Sequence, residues 1–192
     1  MSSIDRRTTP EQLAARVSEA LEAAGIHAVL SGGGAVTIYT DNAYQSKDLD
    51  FVSSASTVAI QSALEPLGFR LERRRYFAHP DTDFLLEFPA GPLGFGHLVV
   101  DTSDELTTPG GVVRIISPTH CVMDRLAAWF HWADRQGLDQ AVSVLRVRMS
   151  TWQRCGHGRR RRVTLRSSRH SWSFFVLMPN QDGTETSASS YL

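Results

Sequence analysis

The stretch Ser31–Phe51, SGGGAVTIYTDNAYQSKDLDF, limits what this chain can fold into more than any other. It joins a glycine run to an acidic pair, Asp48 and Asp50, with one residue between them. Ala28-Val29-Leu30 before it reads as the end of a buried strand, and Leu49-Asp50-Phe51-Val52 reads as a second strand. Side chains alternate along a strand, so Asp48 and Asp50 point to one face. Two carboxylates on one face repel each other unless a cation sits between them. Hard divalent cations take oxygen ligands and keep positions open for phosphate oxygens. Glycines, lacking Cβ, let backbone N–H groups come close to a polyphosphate. Fourteen residues separate Gly33 from Asp48, room for a short helix (Ala35 to Thr40) and a loop (Asp41 to Lys47). The combination predicts a nucleotide held at a glycine turn and a metal held by carboxylates. Taken singly, the glycine run is an ordinary turn and the acidic pair an ordinary solvated face. Order and spacing carry the argument.

These residues resemble the signature of the minimal nucleotidyltransferase superfamily, in which a Gly-Gly or Gly-Ser turn precedes an Asp-x-Asp framed by apolar residues. The resemblance is closest to small bacterial members related to abortive-infection and toxin–antitoxin nucleotidyltransferases, and it covers Leu13 to Leu145. It implies a third carboxylate on a later strand, and Leu85-Leu86-Glu87-Phe88 supplies Glu87. It further implies that Asp48, Asp50 and Glu87 are the catalytic and metal-binding residues, with Mg²⁺ or Mn²⁺ as the ion. Ser31, Gly32 and Gly33 would contact the β- and γ-phosphates of a nucleoside triphosphate. Glu87, or a second metal it helps bind, would favour deprotonation of the acceptor hydroxyl. A nucleoside monophosphate would pass to an acceptor (tRNA, protein or small molecule) with release of pyrophosphate. The chain departs from the pattern in its third glycine, Gly34, in the long spacing to Asp48, and in Glu rather than Asp at the third position. A second expectation is a non-catalytic nucleotidyltransferase-like module that binds a partner protein, as in a toxin–antitoxin pair.

At 192 residues the chain has room for one domain with a real core plus extra material. Its formal net charge is zero, so no global field steers it to nucleic acid or to a membrane surface. Two cysteines, Cys121 and Cys155, make no disulfide framework, and the leading residues MSSIDRRTTP contain no apolar run. These features predict a cytoplasmic protein without a membrane span.

The expected fold is α/β of the α+β type: a small mixed sheet carrying the carboxylates, flanked by helices and followed by a helical pair. Thr9-Pro10-Glu11-Gln12 is a helix start with a capping-box pattern, and Gly25 closes that helix. Val58 to Leu67 reads as a helix stopped by Gly68. Phe69 to Phe77 alternates and reads as one strand. The turn chemistry of His79-Pro80-Asp81-Thr82 makes Phe77 and Phe84 the beginnings of two hairpin arms. On the second arm Asp83, Leu85 and Glu87 share a face. His97 to Val100 and Gly111 to Ile116 read as strands, with Asp101 and Asp104 as exposed loop residues between them. Ser117-Pro118-Thr119 starts a helix that ends around Asp134 to Gly137, and a second helix runs from Leu138 to about Met149. Asp124, Arg125 and Arg135 on this pair are candidate site residues, equally readable as polar-face ion pairs. The arginines Arg73 to Arg75 suit either phosphate contact or a solvated strand edge.

Residues 9–150 are therefore the expected nucleotidyltransferase-like domain, and 151–192 a basic, poorly ordered tail. From Gln140 to Gln181 there is no Asp or Glu, and nine arginines fall there. Arg159 to Arg162 could bind RNA through phosphates. A reading-frame shift near the 3′ end would equally produce such an abrupt loss of acids. Trp172 to Met178 reads as an isolated strand, Asn180 to Leu192 as disordered, and Cys155-x-His157 is too sparse for zinc.

Overall fold

The computed structural model describes residues 4–95, 98–155, 159–166 and 171–178. The elements run α1 (Pro10–Ala23), β1 (Val29–Ser31), α2 (Gly32–Tyr39), β2 (Asp48–Val52), α3 (Thr57–Leu64), β3 (Arg70–Arg73), β4 (Tyr76–Ala78), β5 (Leu85–Glu87), β6 (Gly94–Phe95), β7 (Leu98–Val99), β8 (Asp104–Thr108), β9 (Gly111–Ile115), α4 (Pro118–Trp132), α5 (Arg135–Cys155), β10 (Arg159–Arg166) and β11 (Ser171–Met178). Seven strands form one mixed sheet in the order β3-β4-β5-β2-β1-β9-β8. Strand β2 is antiparallel to β1 and parallel to β5, while β1 is parallel to β9. The expected fold class holds: a mixed sheet with helices before, within and after it.

Alternation decides which face of the sheet is closed. Leu30, Phe51, Leu49, Leu86 and Ile115 are cross-strand neighbours, and each is fully buried. Phe88, two residues beyond Leu86, stacks on Phe51 at 5.8 Å between ring centres and meets Phe77 edge-on at 5.4 Å. Each such side chain contributes about 1.5–3 kcal/mol on burial, so this face fixes the register of all the central strands. Gly34 is the contact point for α2, where an added Cβ would lie 2.8 Å from Leu49 Cδ2 and 3.2 Å from Leu30 Cδ1. Helix α1 packs on α2, α3 and β9 through a stripe that includes Leu13, Val17 and Leu21. Its start is the expected capping box: Gln12 N–H donates to Thr9 Oγ1 at 3.3 Å, and Thr9 N–H donates to Gln12 Oε1 at 3.1 Å.

The elements depart from expectation in five places. The glycine run is the first turn of α2, which starts at Gly32 instead of Ala35. The stretch Phe69 to Phe77 is two strands, because Arg74 adopts φ +51 and turns the chain between β3 and β4. Asp104 opens β8, an edge strand paired with β9, instead of lying in a loop. Ala133 at φ +54 ends α4 before the predicted Asp134, and α5 begins at Arg135 and runs to Cys155. It includes Gly137, where a Cβ would come within 2.7 Å of the Arg125 carbonyl oxygen. That glycine answers a close helix approach and marks no stop. Finally, Ser171–Met178 is not isolated, since it pairs antiparallel with Arg159–Arg166 along its whole length.

The chain divides into two compact units at Val147/Arg148. The second contains the β10–β11 ribbon. His97, His157 and the stretch Asn180 to Leu192, named above, lie outside the described residues. No helix among the described residues is long and apolar enough to cross a membrane.

Candidate active site

The face of the sheet opposite the aromatic core carries a row of polar side chains. Ser31 on β1 is the register partner of Asp50 on β2, Asp50 of Glu87 on β5, and Glu87 of Tyr76 on β4. Cross-strand partners point to the same face, so four residues from four strands stand side by side. Asp48, two residues before Asp50, shares that face at the exposed end of β2. Of the residues expected from sequence, Asp50, Glu87 and Ser31 are thus brought together directly. Asp48 flanks them and pairs with Leu85.

Gly32 explains its own identity. Its φ is +60, and a Cβ there would overlap Asp50 Oδ2. The Asp50 carboxylate therefore lies over the Gly32 Cα, against the first turn of α2. Ser31 is the N-cap residue of α2 and is buried, yet its side chain caps none of the first-turn amides. Those N–H groups have no intrahelical partner, as at any helix start. Gly33 has a different reason to be glycine. A Cβ there would meet Ser46 Oγ at 2.9 Å, so this position packs α2 on the loop before β2.

Asp50 is half-buried, and its carboxyl is pushed up from 3.8 to about 7. Desolvation is the main cause, Glu87 the next, and Asp48 and Asp124 add to it. Arg125 acts in the opposite sense. Without a cation the cluster holds a proton on Asp50 near neutrality, which is how crowded carboxylates respond when no counter-ion is present. The donor set is all carboxylate oxygen, the chemistry that Mg²⁺ or Mn²⁺ prefers. As placed, no three His, Cys, Asp or Glu side chains among the described residues form a group able to hold a metal ion.

Three further side chains border the row, and the sequence had marked two of them, Asp124 and Arg125. Asp124 and Arg125 on α4 reach it, as the shift at Asp50 records. They pair with each other, Arg125 Nε donating to Asp124 Oδ2 at 2.9 Å, and Arg125 Nη1 donates to Gln140 Oε1 on α5 at 3.3 Å. The unexpected member is Tyr76. Its hydroxyl hydrogen-bonds Glu87, which raises the phenol pKa, and Arg73 lies over its ring at 5.4 Å. Nothing in the local pattern of the sequence singles Tyr76 out. Only its place opposite Glu87 does. The arginine run beside it is split: Arg75 donates through Nη2 to the carbonyl oxygens of Ser53 and Ala55, each at 3.2 Å, and is a structural bracket. His27 lies next to Arg114 (Nδ1 to Nη1, 3.0 Å).

The chain superposes on the crystal structure of an antigenic nucleotidyltransferase-like protein from Paracoccidioides brasiliensis with a TM-score of 0.55 at 15% identity, covering 74% of this chain and 78% of that one. The fold is that of the nucleotidyltransferase-like proteins. Weaker matches are the solution structure of the antibiotic-resistance factor ANT(2'')-Ia (TM-score 0.49, 15% identity, 78% of this chain and 95% of that one) and lincomycin-bound lincosamide antibiotic adenylyltransferase LnuA (TM-score 0.49, 17% identity, 71% and 98%). No family model and no curated protein matches the chain. In this nucleotidyltransferase-like fold, the row Ser31–Asp50–Glu87–Tyr76 occupies the middle strands of the sheet.

Proposed function

We propose that this protein transfers a nucleoside monophosphate from a nucleoside triphosphate to an acceptor hydroxyl. The observation that carries the reading is the Asp50 carboxylate, seated on Gly32 at the start of α2 and in register with Glu87. Asp48 and Asp50, with Glu87, would hold the divalent ion. When bound, that ion would offset the charge of the carboxylates and of the triphosphate oxygens together. The remaining chemistry belongs to the chain. The first-turn amides of α2, after Ser31 and through Gly32 and Gly33, orient the β- and γ-phosphates. Glu87 receives the proton of the acceptor hydroxyl. The acceptor oxygen bonds to the α-phosphorus, the bond from that phosphorus to the β-bridging oxygen breaks, and pyrophosphate leaves. Tyr76 keeps Glu87 turned along the row. Positioning and charge stabilisation supply the rate, with no protein nucleophile.

A second reading is a nucleotidyltransferase-like module that acts by binding a partner protein. It is favoured by the lack, among the described residues, of a preformed three-ligand group. Calorimetric titration of Mg²⁺ in the presence of ATP, on wild type and Asp50→Asn, separates the two. Transfer chemistry predicts a saturable Mg²⁺-dependent heat that Asp50→Asn abolishes. Identical curves for the two proteins would leave only the module.

A further inference from the structure

The acidic row does not end in solvent on every side. Along β1 and β2, the next residues on the same face are Val29 and Val52, which are register partners of each other. They form the floor of a recess of about 450 Å³ at the far ends of those strands. Ile26, Ala55, Leu93 and Val100 contribute apolar walls, and Thr102 stands at its rim. Val52 lies two residue steps from Asp50, roughly 7 Å at about 3.3–3.4 Å per residue. The recess and the carboxylates thus share one surface, within the length of a small molecule.

Its lining excludes some occupants. No lysine or arginine lines it; its one imidazole, His27, is held beside Arg114, and its single carboxylate is the exposed Asp101. A triphosphate would find no lysine or arginine in that lining, whereas at the other end of β1 it meets the amides of α2. The polar group nearest the floor is already committed: Ser53 Oγ donates to the His27 carbonyl at 2.8 Å and accepts from Ala55 N–H at 3.2 Å. What the recess offers a ligand is apolar contact, in a volume typical of small-molecule sites.

We infer that this recess is the acceptor site, and that the acceptor is a neutral or singly cationic, largely apolar small molecule. It lies over Val29 and Val52 with a hydroxyl extended along the sheet to Asp50 and Glu87. The inference rests on the nucleotidyl-transfer reading and narrows it, since an apolar lining of this size favours a small molecule over the charged backbone of a nucleic acid.

The test uses the full chain, benzyl alcohol as an apolar hydroxyl probe, and ATP with Mg²⁺. Binding of the probe is followed through the methyl resonances of Val29 and Val52, and binding of ATP by calorimetry. Val52→Phe fills the recess from its floor and Thr102→Trp from its exposed rim, so one variant keeps its fold if the other does not. The expected result is probe binding to wild type that weakens at least about fivefold in the folded variants, with ATP affinity unchanged within about twofold. Probe binding that ignores both changes overturns the site. An ATP affinity that falls together with the probe's shows that the nucleoside occupies the recess, and overturns the acceptor assignment. Failure of ATP and Mg²⁺ to bind wild type overturns the transfer reading itself, and the acceptor role with it.

Discussion

The Asp50 carboxylate rests on the Cα of Gly32, so closely that a methyl group on that carbon would overlap Asp50 Oδ2. Gly32 also has φ +60, which L side chains rarely adopt. Two penalties coincide at one position. Gly32→Ala is expected to cost about 2 kcal/mol or more in urea unfolding, because both the backbone and Asp50 must shift. Gly33→Ala has no positive φ to strain and meets the Ser46 side chain, Oγ at 2.9 Å and Cβ at 3.2 Å, so it should cost clearly less than Gly32→Ala, about 1 kcal/mol. Equal costs at the two positions would show that Asp50 yields freely, and that the contact does not hold it in place.

Stability should depend on pH through Asp50. Its carboxyl titrates at about 7 in the folded chain against an ordinary 3.8. The folded state therefore holds the proton more tightly than the unfolded state does. The resulting contribution is fully present below pH 3.8 and is lost as pH rises towards 7. A shift of that size corresponds to about 4 kcal/mol, less where water enters the cleft. Asp50→Asn carries no charge at any pH. In EDTA it should be more stable than wild type at pH 8, by about 2 kcal/mol or more, with the gap closing by pH 4. A gap independent of pH would mean that Asp50 is not the titrating group.

The Tyr76 phenol is raised by its hydrogen bond to Glu87 and by the charge of Glu87. Replacing Glu87 by Gln removes the charge and keeps the shape. The Tyr76 titration, followed by the ¹³Cζ resonance, should then move down towards the ordinary tyrosine value. Tyr76→Phe should leave the urea midpoint nearly unchanged, since the side chain is not part of the core. An unmoved phenol titration in Glu87→Gln would break the link that makes Tyr76 the positioning partner of Glu87.

The division of the chain at Val147/Arg148 gives a stability prediction. If residues beyond Ser150 form a unit of their own, truncation there should leave the main melting transition within about 4 °C. A larger loss would show that the two units stabilise each other.

Much of this architecture could be read from local chemistry. Thr9 and Ser117 announce their helices because capping is a contact within three residues, and the Asp48–Asp50 strand shows itself by alternation. The β4–β5 hairpin follows from the turn residues after His79. What escaped was decided by contacts distant in sequence or by unusual backbone. Gly32, Gly33 and Gly34 look like a flexible turn, yet each is glycine for a separate contact, with Asp50, Ser46 and Leu49 respectively. Arg74 turns the chain at φ +51 without any of the residues that normally advertise a turn. Strand β8, DELTT, lies at the sheet edge, where one face need not be apolar, so its alternation is weak. Asp50 and Glu87 were legible as members of one site. Tyr76 was not, because its place opposite Glu87 depends on the hairpin's register, which the turn residues alone do not fix.

The row Ser31, Asp50, Glu87 and Tyr76 draws one residue from each of four strands. The row is complete only when β1, β2, β5 and β4 have all paired. The site is therefore a thermodynamic property of the assembled sheet, and whatever binds the row binds only the native state. On the transfer reading ligand and fold are linked: saturating Mg²⁺ and nucleotide should slow globally exchanging amides on all four strands by a common factor, including β4, which carries none of the three carboxylates.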